Sequence, residues 1–351
     1  MVEDQDDKGF LIMGKCDGDI GCGDFIKIKI KVMKWRIVMK VAVIGNGNVG
    51  MATFRELQKQ REIQELVLIG RSQEKLQAEI EDFMDAEALA TVPTVKLTYG
   101  GYDAAEGADV LIYAAGVGQK PGQSRLELVE QNAKIARDIF AEVAKVNKDA
   151  IIVVLSNPVD VITVVIQETM GLPREKVIGT GTLLDTARLK RFVASLLDVS
   201  VNSTDMFVLG EHGDSSCVIW SSIRILGMSL DDYLAMEVGD NTSVRQKKLS
   251  EHVRSAAGKM IAVKGFTAYG VAAAAGRVVS AVINDTHEIL PVSVRLRGEY
   301  SVAGIAISVP CMIGRDGILA VKEMPLTEEE QAAFWKSADI LKEIVGNVGF
   351  H

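Results

Sequence analysis

Cysteine is scarce in this chain of 351 residues, which contains only four of them. They show no dense framework and no paired metal-ligand spacing: Cys16, Cys22, Cys217 and Cys311. This usage excludes a disulfide scaffold, and we expect no bound metal. The acidic start of the chain is unlike a secretory signal or a transit peptide, so we expect a protein of the reducing cytoplasm.

Long apolar runs and an excess of positive charge are also lacking. The best membrane candidate, residues 150–166, is interrupted by Asn157, Pro158 and Asp160, and falls short of the ~20 apolar residues that a spanning helix needs. A formal net charge of −8 argues against nucleic acid or an acidic membrane surface as the main partner. With 48% hydrophobic residues, the chain can bury a core large enough for two domains.

A glycine-rich turn follows the first predicted strand and reads Gly45-Asn-Gly-Asn-Val-Gly50. Gly45 would permit the tight turn, Gly47 the close approach of backbone N–H groups to a pyrophosphate, and Gly50 close packing of helix on strand. Asn48 and Val49 would then open the helix that faces the anion. Such glycine spacing alone is weak evidence for a ligand site. Its place between a strand and a helix, however, predicts a dinucleotide site.

Apolar strand patterns alternate with helical periodicity from residue 39 onward. Five apolar runs predict strands: residues 40–44, 66–69, 95–99, 110–114 and 150–155. Helices are predicted from about residue 49, over residues 74–90 and up to residue 146. This alternation is typical of a parallel sheet. In the helix over residues 74–90, we interpret Leu76, Ile80, Phe83 and Met84 as one core-facing stripe.

The pattern changes beyond residue 180. Short strands at residues 206–209, 218–221 and 290–294 are mixed with helices near residues 243–263 and 267–283. A last helix opens with a capping box from Thr327 to Glu330. We therefore predict an α/β chain with a Rossmann doubly wound parallel sheet followed by an α+β catalytic domain. The predicted boundaries are an irregular N-terminal extension over 1–38, the dinucleotide-binding domain over 39–180 and the catalytic domain over 181–351.

Histidine is as scarce as cysteine, with four in the chain. His212 lies in Gly210-Glu-His-Gly-Asp214, a tight polar turn directly after an apolar strand, and this placement favours acid–base chemistry. For His252, His287 and His351, surface or structural roles are the better interpretation.

Asp185 and Arg188 stand three residues apart, which places them on one side of a helix. A simple helix ion pair would have the same spacing. A carboxylate that orients a histidine, beside an arginine that holds an anion, is also what hydride transfer to a keto acid would need.

At these residues the chain resembles the L-lactate/malate dehydrogenase family, from residue 39 to the end. The shared motifs occur in the family's order: the glycine turn, Ser124-Arg125, Ser156-Asn-Pro158, Leu184-Asp-Thr-Ala-Arg188, Gly210-Glu-His-Gly-Asp214 and Gly265-Phe-Thr267. The resemblance implies reversible hydride transfer between a nicotinamide cofactor and a small 2-oxo acid. It also implies a homotetramer or homodimer.

The resemblance gives each catalytic residue a role. His212 would donate a proton to the C2 oxygen of the substrate, and Asp185 would hold the imidazole and stabilise its cationic form. Arg188 would bind the substrate carboxylate. Arg125, on a mobile loop, would close over the site and polarise the C2 carbonyl.

Substrate choice is implied by the loop before Arg125. At the position of Gln119 this chain resembles lactate dehydrogenases, whereas malate dehydrogenases carry an arginine there. We therefore expect the substrate to be pyruvate rather than a dicarboxylate. Lys120 leaves malate dehydrogenase as a weaker alternative, and other stretches resemble L-2-hydroxyisocaproate dehydrogenases. Asn157 would assist at the carbonyl and the nicotinamide, and Thr267 would line the substrate pocket.

The end of the second strand departs from the NAD pattern. Family members that use NAD place an acidic residue on the ribose there, whereas this chain reads Gly70-Arg-Ser72. Without that carboxylate, a 2′-phosphate is not repelled, and Arg71 and Ser72 are available to bind it. The sequence therefore predicts that the protein accepts NADP as well as NAD. Alternatively, Arg71 points to solvent and only NAD is used.

Two rival classes rank far below a dehydrogenase. A non-catalytic nicotinamide sensor would need the glycine turn but neither the Asp185–His212 pair nor Arg188. A dinucleotide-dependent glycoside hydrolase would need a metal held by cysteine and histidine, and the His212 turn lacks that ligand pattern although Cys217 is nearby.

Overall fold

The computed structural model describes residues 39–89, 95–118, 125–237 and 266–347. Strands and helices alternate in the first half: β1 Met39–Ile44, α1 Asn48–Leu57, β2 Ile63–Ile69, α2 Gln73–Ala88, β3 Lys96–Gly100, β4 Val110–Tyr113, α3 Arg125–Val143, β5 Ile151–Val154, α4 Val159–Met170 and β6 Val177–Gly179. Every strand and helix predicted here from the sequence has an observed counterpart, with ends displaced by a few residues. The predicted extension over residues 1–38 lies outside the described residues.

The second half mixes longer helices with antiparallel strands. Its elements are α5 Leu183–Leu197, β7 Thr204–Leu209, β8 Cys217–Ile225, β9 Met228–Ser229, α6 Leu230–Glu237, α7 Tyr269–Ile283, β10 Glu288–Arg297, β11 Ala303–Gly314, β12 Gly317–Val321 and α8 Glu328–Asn347. The predicted helix near residues 243–263 lies outside the described residues. At the start of α8, the Thr327 backbone N–H donates to Glu330 Oε2 at 3.0 Å and the Glu330 N–H donates to Thr327 Oγ1 at 3.3 Å. This reciprocal pair confirms the predicted capping box.

One nine-stranded sheet runs through both halves, in the order β12-β11-β10-β6-β5-β4-β1-β2-β3. From β3 to β6 all neighbours are parallel, which confirms the predicted doubly wound sheet. The sheet continues past residue 180, because Ser293 of β10 pairs antiparallel with Gly179 of β6. Strand order reverses between β1 and β4, and such a switch point leaves a crevice at the carboxyl ends of the strands.

The core follows from this topology. Strands β1, β4 and β5 lie inside the sheet under helices on both faces, so they are almost continuously apolar and buried. In α2, Leu76 and Ile80 are buried as predicted and Phe83 packs against them, but the placement of Met84 in the core is wrong, since it is 54% exposed. Because α2 packs beside the edge strand β3, its buried stripe is narrow and Met84 lies beyond it.

Candidate active site

The glycine turn closes tightly between β1 and α1. Gly45 adopts a φ of +114°, which favours glycine, and a Cβ there would come within 2.9 Å of the Ala114 backbone. A Cβ on Gly50 would stand 1.8 Å from the Gly45 carbonyl oxygen, so only glycine lets α1 approach the turn this closely. Beside Gly47, by contrast, the space within 4 Å is open. At Gly45 and Gly50 the turn therefore has no room for a Cβ.

A cavity of about 410 Å³ opens beside this turn, at the carboxyl ends of β1, β2 and β4. Its walls include the backbone of Gly45 to Gly47, the Tyr102 side chain and the loop that follows β4. Helix α1 begins at Asn48, with Val49 next, and the first N–H groups of a helix lack internal partners. Open space beside Gly47 and a helix N-terminus at the cavity fit the pyrophosphate of a dinucleotide.

The end of β2 also borders the cavity. Gly70 and Arg71 line it, and Arg71 and Ser72 are solvent-exposed. Burial raises the pKa of the Tyr102 phenol, and the nearby positive charge of Arg71 partly opposes that rise. Arg71 therefore lies at the cavity wall beside Tyr102, at the end of β2.

A histidine, a carboxylate and an arginine meet where the turn after β7 faces helix α5. His212 follows β7, and its Nδ1 stands 2.6 Å from Asp185 Oδ2 on α5. On the same helix, Arg188 Nη1 donates to Asp185 Oδ1 at 3.0 Å. The side chains of Asp185 and Arg188 are 11% and 10% exposed. Asp185 thus accepts from both neighbours, and the predicted grouping of these residues is present.

The pKa values of Asp185 and His212 shift in opposite directions. Burial acts to raise the pKa of Asp185, but the charges and hydrogen bonds of His212 and Arg188 outweigh it and lower that pKa. Burial acts to lower the pKa of His212, but the charge and hydrogen bond of Asp185, together with the charge of Asp160, raise it against the opposing charge of Arg188. An ionised carboxylate beside a protonated imidazole is therefore favoured.

Consecutive backbone N–H groups of the histidine turn are held by different elements. Gly210 and Ser308 of β11 exchange hydrogen bonds, with N···O distances of 3.0 and 3.1 Å. The Glu211 N–H donates to Ser337 Oγ of α8 at 2.8 Å. These contacts hold the turn against the sheet and the last helix.

The next N–H of the turn, that of His212, donates to Asp160 Oδ2 of α4 at 2.9 Å. Neither Asp160 nor the two serines that hold the turn were predicted to belong to the site. Asp160 did carry a signal, because a lone charge at the start of an apolar helix must find a buried partner. No feature of the sequence indicated that Ser308 and Ser337 would hold the turn.

A buried asparagine joins the loops that follow β4 and β5. Asn132 of α3 donates from Nδ2 to the Asn157 carbonyl at 2.9 Å and accepts from the Val117 N–H at 2.9 Å. Asn157 follows β5, is solvent-exposed and precedes a cis peptide bond to Pro158. Thr267, just before α7, is partly exposed. Asn132 could not be identified from the sequence, because an amide beside Gln131 in an amphipathic helix gives no specific signal.

The substrate loop lies mostly outside the described residues. Gln119, Lys120 and Ser124 fall there, as does the side chain of Arg125, whose backbone begins α3. Within the described ranges, no group of three or more histidine, cysteine or acidic side chains is placed to hold a metal ion. No helix in those ranges is long and apolar enough to cross a membrane.

The dinucleotide cavity and the His212–Asp185–Arg188 group define the class: a nicotinamide-dependent dehydrogenase. Two family models match the chain, the lactate/malate dehydrogenase NAD binding domain over residues 39–179 and the lactate/malate dehydrogenase alpha/beta C-terminal domain over residues 182–349. The chain therefore belongs to the lactate/malate dehydrogenase family.

Individual relatives agree with the family models. The chain is 40% identical to an L-lactate dehydrogenase of Nitratidesulfovibrio vulgaris over 305 residues, 87% of this chain and 98% of the relative. It is 35% identical to an L-lactate dehydrogenase of Clostridium perfringens over 308 residues, 88% of this chain and 96% of the relative. The ligand-bound crystal structure of a minor L-lactate dehydrogenase from Enterococcus mundtii superposes with a TM-score of 0.85 at 35% identity, covering 90% of this chain and all (100%) of that one.

Proposed function

We propose that this protein catalyses the reversible reduction of pyruvate to L-lactate. The observation that carries the proposal is the His212–Asp185–Arg188 group, with Asp185 2.6 Å from His212 and 3.0 Å from Arg188. Its place in a family whose similar members are named L-lactate dehydrogenases supports the same reaction. The glycine turn from Gly45 to Gly50 would hold a nicotinamide dinucleotide, which would supply the hydride to C2 of the substrate or accept it from there.

The residues of the chain move the proton and hold the substrate. His212, protonated before the reduction, donates to the C2 oxygen, and Asp185 stabilises the imidazolium and fixes the ring orientation. Arg188 keeps guanidinium N–H groups beyond the one bound to Asp185, and these bind the substrate carboxylate. Arg125 closes over the site from the loop, polarises the carbonyl and excludes water, while Asn157 contacts the carbonyl and Thr267 lines the pocket.

Pyruvate is the preferred substrate in this proposal because Gln119 offers a neutral amide to the substrate side chain. A second carboxylate next to Gln119 would remain unpaired in the closed site, which costs several kcal/mol. A larger aliphatic 2-oxo acid, as in L-2-hydroxyisocaproate dehydrogenases, is the second candidate, and oxaloacetate is a weaker one through Lys120.

Both NAD and NADP serve as cofactor in this proposal. The family match is to an NAD binding domain, and the glycine turn suits either dinucleotide. Acceptance of NADP rests on Gly70, which removes a carboxylate, and on Arg71 and Ser72, which would bind the 2′-phosphate. We further propose that the enzyme acts in the cytoplasm as a homotetramer or homodimer.

A matrix of kcat/KM values tests these choices together. Pyruvate, 2-oxoisocaproate and oxaloacetate are each measured with NADH and with NADPH. A pyruvate maximum is expected, and a maximum with either other acid would contradict the role given to Gln119. Strict dependence on NADH would contradict the role given to Gly70, Arg71 and Ser72.

A further inference from the structure

Asp160 is a buried carboxylate that the reaction, as described above, does not use. It lies in the first turn of α4 with 2% of its surface exposed. Its Oδ2 accepts the His212 backbone N–H at 2.9 Å. Its Oδ1 is buried as well, and the Ser293 hydroxyl lies close enough to act on this carboxylate.

Burial works against the charge of this group. It raises the pKa of Asp160 to about 6, although the Ser293 hydroxyl, the His212 N–H and the His212 charge oppose the rise; the Glu211 charge adds to it. A buried carboxylate destabilises a fold unless other interactions compensate for the loss of its hydration. The chain therefore keeps a negative charge in an unfavourable place beside its histidine.

Anchoring the turn does not require that charge. The neighbouring N–H groups of Gly210 and Glu211 are held by neutral acceptors, the Ser308 carbonyl and the Ser337 hydroxyl. A neutral side chain at position 160 could accept the His212 N–H in the same way. What a carboxylate adds is an electrostatic effect on the imidazole.

We propose that Asp160 is a positioning residue for His212: Oδ2 fixes the backbone of the histidine, and the negative charge extends to higher pH the range in which the imidazole holds its proton. The proposal rests on the acid role proposed for His212. The charged groups that act on His212 are Asp185 and Arg188 from α5 and Asp160 from α4, and the charge of Glu211, in the same turn as the histidine, acts on Asp160. Asp160 thus acts from the backbone side, whereas Asp185 acts on Nδ1.

The sign of the effect follows from the two reaction directions. Reduction of the 2-oxo acid needs protonated His212 and is lost as the pH rises through the pKa of His212; oxidation of the 2-hydroxy acid needs the neutral ring and appears over the same interval. Removal of the Asp160 charge lowers that pKa. Both midpoints should then move to lower pH together, by about one unit, as for loss of a nearby opposite charge.

The test compares Asp160→Asn with Thr163→Val. The asparagine amide oxygen can still accept the His212 N–H, so the charge is removed while this hydrogen bond is kept; the amide NH2 replaces Oδ1. Thr163 is buried one turn further along α4, and within the described part of the chain its Oγ1 donates to its own helix alone, to the Val159 carbonyl at 2.8 Å. Profiles of kcat/KM against pH are measured in both directions with pyruvate and L-lactate, alongside thermal melting and a His212→Gln variant.

The expected result is a downward shift of both midpoints in Asp160→Asn and none in Thr163→Val. Unmoved midpoints in folded Asp160→Asn, or an equal shift in the control, would overturn the proposal. Asp160→Ser is the second variant if the asparagine variant does not fold; failure of both to fold would also contradict the proposal, which assigns Asp160 to the turn and not to the fold. Near-normal activity in His212→Gln would instead refute the role of the histidine itself.

Discussion

The cofactor turn and the histidine turn are built in opposite ways. Gly45 and Gly50 fix the cofactor turn within six consecutive residues, where the Gly45 carbonyl leaves no room for a Cβ on Gly50. The histidine turn takes its hydrogen-bond partners from Ser308, Ser337 and Asp160, on three elements distant in the sequence. Cofactor binding should therefore depend on local backbone shape, whereas proton transfer should depend on the assembly of the whole fold.

The sharpest way to separate the two turns is to replace His212 by glutamine. Loss of the general acid is expected to lower kcat about 10³-fold, within the usual contribution of such a group. The affinity for NADH, measured by fluorescence titration, should stay unchanged because the glycine turn is untouched. His287→Gln, at a histidine with a 56% exposed side chain, is the matched control. If His212→Gln lost both turnover and NADH affinity, the two turns would not act separately as described.

Substrate binding, like proton transfer, should depend on the assembly of the whole fold. Arg188→Leu is expected to raise KM for pyruvate about 100-fold, because a charge-assisted pair to the carboxylate, worth ~3 kcal/mol, is lost. NADH affinity should again be retained. Arg191→Leu removes an exposed arginine from the same helix and serves as the control. Comparable KM values in the two variants would refute the assignment of Arg188.

Within the cofactor turn, two glycines of the same motif should behave differently. An added methyl on Gly50 meets the Gly45 carbonyl at 1.8 Å, so Gly50→Ala must displace α1 and is expected to lower the melting temperature by several degrees. A methyl on Gly47 meets nothing within 4 Å. Gly47→Ala should therefore melt like the wild type but bind NADH about tenfold more weakly, because the methyl fills the space left for the pyrophosphate. Equal melting temperatures would contradict the packing role of Gly50.

The same contrast explains what could be predicted from the sequence. The parallel sheet and the glycine turn follow from short-range patterns of apolar residues and glycines, and the Asp185–Arg188 pair follows from helical spacing. The contact between Asp185 and His212 was inferred from a resemblance and not from spacing. The hydrogen bonds from Asp160 and Ser337 could not be predicted, because a partner brought by tertiary folding leaves no periodic signal. The domain boundary near residue 180 stays a prediction.

The smallest expected effect concerns the choice of cofactor. Arg71→Ala should lower kcat/KM with NADPH about tenfold and leave the value with NADH unchanged, since an exposed ion pair to the 2′-phosphate contributes roughly 1 kcal/mol. Lys96→Ala is the control, because it removes a positive charge with a 68% exposed side chain from the edge strand β3. The contribution of Arg71 to kcat/KM with NADPH should also become smaller as the salt concentration rises.

The reverse change tests the other half of that argument. Gly70→Asp restores a carboxylate at the end of β2, where the space beside the glycine is bordered by Leu76 at 3.0 Å and the Asn46 side chain at 3.6 Å. It should depress NADPH use more than Arg71→Ala does, because repulsion is added to a lost attraction, and it should keep NADH use. An equal fall with both cofactors would mean that position 70 serves local packing, and cofactor choice would then not be set by this strand end.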